Sequence, residues 1–109
     1  MQYELSSLGK YRIITIDEVL HTTSNIADLI GIIDELLQQD TVHIAIRFKE
    51  GSFFTSRTGA IVINCWEKIT NNKGTLTLVE PGYDIRHFFL VLELDKEIAM
   101  VDSIEDLPD

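Results

Sequence analysis

The chain switches repeatedly between two hydrophobic periods. Tyr3 and Leu5 alternate with polar neighbours, Gly9-Lys10 offers a turn, and Tyr11 to Ile16 (YRIITI) is β-branched and aromatic, which predicts an opening hairpin. Apolar residues then recur at helical spacing: Ile26, Leu29, Ile30, Ile33 and Leu37 form one stripe, preceded by the cap-forming residues Thr22, Thr23, Ser24 and Asn25. Gly31 inside this stripe would admit a close backbone neighbour. His43 to Phe48 (HIAIRF) reads as a strand, and a loop follows over KEGSFFTSRT. A second helix is expected from about Gly59 to Asn71, with Ile61, Val62, Cys65, Trp66 and Ile69 on its apolar side. Gly74 closes it before the strand Thr75 to Val79. Pro81-Gly82 turns the chain into a third helix with Ile85, Phe88, Phe89 and Leu92 on one face, and Ile98 to Val101 is a last short strand. Ser103 and Asp106 resemble a capping box, with Pro108 limiting any fourth helix to about a turn.

The predicted order is therefore β-β-α-β-α-β-α-β. Strands separated by single helices pair in parallel through right-handed crossovers. The expected architecture is α/β: a small mixed, mostly parallel sheet with an N-terminal β-hairpin and covering helices. The 109 residues suffice for one domain, 1–109, and no linker or internal repeat divides them.

Composition removes several functions. Eighteen Asp and Glu against nine Lys and Arg leave a net charge of −9, which argues against binding nucleic acid or an anionic membrane. Seven of the acids fall in residues 93–109, a solvated acidic end. One cysteine excludes an intramolecular disulfide, and His21, His43 and His87 are too far apart for a local metal motif. MQYELSSLGK lacks the basic and apolar regions of a secretory signal, and no apolar run reaches membrane-spanning length. A cytoplasmic protein without membrane insertion is expected.

Catalytic chemistry is not legible. None of the Gly-rich phosphate-binding, zinc-protease or serine-hydrolase motifs occurs. Cys65 sits at an apolar helical position and reads as a small buried hydrophobe. His43 reads as a strand residue, His87 as part of a solvated helix face, and no carboxylate pair stands out as an acid–base couple. No enzyme and no cofactor is expected. One segment is different: residues 52–59, SFFTSRTG, carry four hydroxyl side chains and a glycine just before a helix, behind Phe53 and Phe54. Ser56 or Thr58 could simply cap that helix. A phosphate attached there would meet the unpaired amides and the favourable dipole of its N-terminus.

Around this loop the sequence resembles a STAS domain, the family of bacterial anti-sigma-factor antagonists. HIAIRF is similar to the family's strand, TSRTG stands where its Asp-Ser-Ser-Gly motif opens a helix, and the interval from Gly59 to Gly74 keeps the family's spacing. TLTLVEP, IRHFFLVLEL and VDSIEDL resemble the following strand, helix and ending. Read forward from His43, Thr55 stands on the motif's Asp and Ser56 on its phosphorylated serine. Read backward from Gly74, Ser56 stands on the Asp, Arg57 on the phosphoserine and Thr58 on the second serine. The loop thus carries one inserted residue, and the motif's acid is missing in both readings. Glu93 also replaces the glycine that ends the family's third helix.

The resemblance implies a STAS-like fold and a partner-binding module that sequesters an anti-sigma factor or related serine kinase. It further implies control by phosphorylation at Ser56, with Thr58 as the second candidate, and a phosphatase as a further partner that would reverse it. It places the contact surface on Thr55, Ser56, Arg57, Thr58 and Gly59, on the outward side of helix two, and on the segment before helix one that includes Glu18 and Leu20. On that helix Ala60, Asn64 and Glu67 point away from the apolar stripe and Ile63 lies beside them rather than with the core, which makes Ile63 the expected docking residue. The alternative is a non-phosphorylated STAS-like scaffold subunit of a signalling or lipid-transport complex. A homodimer is left open, and no glycine loop supports a nucleotide-binding module.

Overall fold

The computed structural model describes residues 1–19, 25–50 and 55–108. The hairpin forms from β1 (Tyr3–Leu8) and β2 (Tyr11–Ile16), antiparallel, with Leu8 opposite Tyr11 across Gly9-Lys10. Gly9 adopts a φ of +59°, which a glycine takes without steric cost. The remaining elements follow as α1 (Asp28–Gln38), β3 (His43–Arg47), α2 (Ser56–Asn71), β4 (Thr75–Val79), α3 (Gly82–Val91), β5 (Ala99–Val101) and one 3-10 turn at Ile104–Asp106. The sheet runs β1-β2-β3-β4-β5, and every pairing after the hairpin is parallel.

This monotonic order decides where the helices lie. Each crossover steps to the next strand in one direction, so crossovers of one hand deposit all their helices on one face. Ile14, Ile16, Ile44, Ile46, Leu76 and Leu78 point to that face and pack with Leu29 and Ile33 of α1, Val62, Cys65 and Ile69 of α2, and Ile85 and Phe89 of α3. The opposite face carries a smaller cluster of Tyr11, Ile13, Ala45 and Val79, with Val101, Ile104 and Leu107 of the C-terminal segment against it. Ile13 and Ile14 are both buried. A strand covered on both faces loses the polar alternation of a half-exposed one.

Several expectations shift. In α1 the buried face is Leu29, Ile32, Ile33 and Leu36, with Ile26 just before it, whereas Ile30 and Leu37 are half-buried. The helix turns this way because it packs against α2 as well as the sheet, with Asp34 paired to Lys68 across the two at 3.1 Å. Its cap position is held by Ala27 without a side-chain hydrogen bond, and the expected caps Thr22, Thr23 and Ser24 lie outside the described residues. Gly31 faces open space, so it serves no close approach. Helix α2 begins three residues earlier than predicted, at Ser56. On α3, Leu92 is exposed and Phe88 half-buried, leaving Ile85 and Phe89 as the buried face. The Ser103 hydroxyl donates to the Asp106 carboxylate at 3.1 Å and caps no backbone amide.

All three helices end in the same hydrogen-bonded turn, with a left-handed residue just past the cap: Asp40 (φ 61°), Lys73 (φ 63°) and Glu93 (φ 58°). The amide two residues beyond each C-cap bonds back to the helix, Thr41 to Leu36, Gly74 to Ile69 and Leu94 to Phe89. Glu93, which stands where the family resemblance expects glycine, therefore occupies a conformation that favours glycine.

Candidate functional site

Thr55 and the first turn of α2 build the site. Thr55 has extended dihedrals (φ −119°, ψ 165°), and its Oγ1 accepts the Thr58 amide at 3.2 Å, a side-chain N-cap. The helical ladder starts with the Gly59 amide bonding Thr55 O at 3.0 Å. The amides of Ser56 and Arg57 precede that ladder and have no acceptor within the helix. No acidic residue occupies this first turn, so the positive end of the helix dipole is not neutralised locally.

The four motif residues separate by exposure. Ser56 and Arg57 are exposed. Thr58 is 5% exposed, with its hydroxyl against that of Thr55 at 3.2 Å. Burial thus removes Thr58 as an accessible phosphorylation or contact residue, and Gly59 is buried beside it, while Ala60 is exposed. The cap is thus Thr55, in place of the expected Ser56 or Thr58.

The expected docking residue Ile63 is corrected as well. It is half-buried and packs against the main core, so it does not point away from it. The wide apolar sector of α2, from Ile61 through Ile69, is filled from both the sheet and α1, and Ile63 falls within it. Glu18 is half-buried, accepts the Gln2 amide through Oε1 at 3.3 Å, and stands outside the groove described next. Leu20 and His21 lie outside the described residues, as do Phe53 and Phe54.

The groove that Ser56 does line is shared with α3. A depression of about 450 Å³ is bordered by Thr55 and Ser56 on one side and by Asp84, His87, Phe88, Val91 and Leu92 on the other. Val91 is 64% exposed and Leu92 47%. Tyr83, outside the groove, stacks on His87 with centroids 5.8 Å apart and planes 9° from parallel. Asp84 brings a carboxylate to the groove that holds Ser56, although the motif itself lacks one. These α3 residues were not among the sequence candidates, and His87 read as merely solvated. A signal was present: FFLVL is five consecutive apolar residues, more than one face of a helix can bury.

A second, larger depression of about 770 Å³ lies at the carboxyl ends of β2 to β5. Three ion pairs cross its walls, Arg47 to Glu80 at 2.6 Å, Lys49 to Asp17 at 3.7 Å and Arg86 to Asp102 at 2.5 Å, and Glu50 adds a further carboxylate to the lining. Among the described residues no group of three His, Cys, Asp or Glu is arranged to hold a metal ion. Cys65 is fully buried, and desolvation, aided by the nearby Asp34 charge, pushes its thiol up to about 12. A thiol held neutral in this way is a poor nucleophile. No helix among the described residues is long and apolar enough to cross a membrane.

No protein-family profile and no curated protein sequence matches the chain. Solved structures do. The Bacillus cell fate determinant SpoIIAA in its phosphorylated form aligns with a TM-score of 0.74 at 17% identity, over 95% of each chain. Its unphosphorylated form, an anti-sigma factor antagonist, aligns with a TM-score of 0.70 over 96% of this chain and 92% of its own. The crystal structure of TM1081 from Thermotoga maritima gives a TM-score of 0.79 at 18% identity, over 95% of this chain and 89% of its own. The chain has the STAS fold. Within it the hairpin, the parallel strands and all three helices are retained, and the segment after β5 amounts to one 3-10 turn. At this level of identity the likeness establishes the fold, and the site chemistry rests on the residues themselves.

Proposed function

We propose that this protein is a regulatory binding module of the anti-sigma-factor-antagonist kind, without catalysis of its own, working in the bacterial cytoplasm. In this reading it sequesters an anti-sigma factor or related serine kinase and is released by phosphorylation of Ser56. The observation that carries the reading is the placement of Ser56: exposed, first in α2, and at the mouth of an apolar groove formed with α3. SpoIIAA, which shares the fold, is solved in both phosphorylated and unphosphorylated forms.

The chemistry is simple to balance. The Ser56 hydroxyl attacks the γ-phosphorus of ATP held by the partner kinase, its proton passes to a base of that kinase, and ADP leaves. The product adds about 1.5 to 2 negative charges and three acceptor oxygens. Helix amides stabilise these oxygens, while the phosphate and Asp84 together turn an apolar groove mouth strongly anionic. A partner that buries the groove then loses binding through desolvation of that charge.

The absence of an acid from the first turn of α2 favours the second reading, a STAS-like scaffold subunit that binds without a phosphorylation switch. One experiment separates them. The partner is identified by mass spectrometry after affinity capture from the native organism, then titrated calorimetrically with Ser56→Ala and Ser56→Asp. The switch reading expects Ser56→Ala to bind like the parent and Ser56→Asp to bind at least tenfold more weakly, about 1.4 kcal/mol. It also expects the partner kinase to transfer one phosphate to the parent and none to Ser56→Ala. Equal binding by both variants, with no phosphate transferred, leaves the scaffold reading.

A further inference from the structure

The sheet ends in two edge strands, β1 and the three-residue β5. β1 has six residues, all exposed, and among the described residues it pairs only with β2. The Asp17 amide bonds Gln2 O at 2.8 Å, which fixes the parity of the ladder: Gln2, Glu4, Ser6 and Leu8 direct their amides and carbonyls to β2. The peptide groups of Tyr3, Leu5 and Ser7 therefore point outward. Edge strands are normally blunted by proline, lysine or a bulge. β1 has no proline, no lysine and an unbroken register against β2. Tyr3 is 40% exposed and Leu5 39%, and both lie on the helix-bearing face, opposite the core residues Ile16 and Ile14.

We propose that β1 pairs antiparallel with β1 of a second copy of this chain, joining two sheets into one of ten strands. The two-fold axis passes through Leu5, so that Leu5 faces its own copy and Tyr3 faces Ser7. This register alone pairs all three outward-facing residues with one another. Moving it toward the N-terminus sets Glu4 against Glu4, and moving it the other way leaves Tyr3 without an outward-facing residue of β1 opposite it. Centred on Leu5, Glu4 faces Ser6, and no like charges are opposed.

The occupant follows from charge. The chain carries −9, yet residues 1–16, with Glu4, Lys10 and Arg12, carry +1, so the repulsion that keeps two copies apart elsewhere is absent at this edge. Leu5, 39% exposed, meets its own copy at the axis. This inference is independent of the reading of Ser56, because β1 takes no part in the groove between α2 and α3.

The test is sedimentation equilibrium of the whole chain from about 10 μM to about 1 mM, a range that reveals weak dimers. The mass is expected to rise toward that of a dimer with concentration, with the amides of Tyr3, Leu5 and Ser7 gaining protection from hydrogen exchange over the same range. Leu5→Lys, which opposes two ammonium groups at the axis, should hold the chain monomeric at every concentration. Leu5→Cys should give a disulfide-linked dimer on mild oxidation, since residues opposed across an antiparallel pair lie within bridging distance. Buried Cys65 does not compete. Tyr3→Cys, opposite Ser7, should not cross-link. If Leu5→Lys unfolds, the cysteine pair and the exchange pattern still decide. A monomeric mass across the range, a dimer indifferent to Leu5→Lys, or equal cross-linking of both cysteine variants overturns the proposal.

Discussion

A β-carbon at Gly74 would sit 2.0 Å from the carbonyl oxygen of Val42. The chain crosses there from α2 into β4 while the Thr75 amide bonds that same carbonyl at 3.0 Å, so neither backbone segment can retreat. Gly74→Ala is expected to cost about 3 kcal/mol or more in a urea melt. Gly31→Ala, on an exposed helical surface with nothing near the new methyl, should instead stabilise by about 0.5–1 kcal/mol. Cys65 yields a prediction with a definite sign. Its thiol stays neutral in the fold up to about 12 but ionises near 9 when exposed. Above pH 9 the unfolded chain therefore binds fewer protons than the native one, and stability should fall with rising pH by up to about 1.4 kcal/mol per unit, having been fully present below pH 9. Parallel urea melts of parent and Cys65→Ala between pH 8 and 10 isolate this slope, which the variant should lack.

At the scale of elements, the boundary that matters most is the start of α2. Thr55→Ala removes the Oγ1 acceptor of the Thr58 amide and is expected to cost about 1 kcal/mol, read by thermal melting. It should also leave the buried Thr58 hydroxyl without its contact to Thr55, so Thr55→Ser should restore most of the loss. The helix C-termini carry a matching signature. Glu93 holds a left-handed conformation that disfavours a side chain, and glycine would relieve it.

For the whole molecule, the decisive comparison is between two apolar residues whose places the helical pattern predicts the wrong way round, Ile63 as an outward residue and Leu92 as part of a buried face. Ile63 is half-buried against the core, and Ile63→Asp should lower stability by about 1–3 kcal/mol with no effect specific to binding. Leu92, 47% exposed at the rim of the α2–α3 groove, supports the opposite expectation. Leu92→Asp should melt like the parent and bind the captured partner at least tenfold more weakly, measured by calorimetric titration. Parent-like binding by Leu92→Asp would remove the groove from the contact surface.

Periodicity and composition along the chain were enough to specify every strand and helix in order, because the β-branched, aromatic run YRIITI and the helical stripe through Ile61, Val62, Cys65 and Ile69 are local properties. Parallel pairing followed from the single helices between strands, whereas the order β1-β2-β3-β4-β5 belongs to the folded sheet; the hydroxyl-rich loop before α2 announced itself through composition. What the local pattern left undetermined is what packing between distant segments settles. Ser56 and Thr58 were both possible caps of α2, and the cap is instead Thr55, whose extended backbone lets Oγ1 accept the Thr58 amide. The apolar sector of α1 is wide enough to turn either way, and contact with α2 buried Ile32 and Leu36 in preference to Ile30 and Leu37. The same crowding drew Ile63 inward. The surplus of apolar residues in FFLVL was visible from the start, but the groove it forms with Ser56 brings together residues some thirty positions apart, a juxtaposition that exists only once α2 and α3 lie side by side on the same face of the sheet.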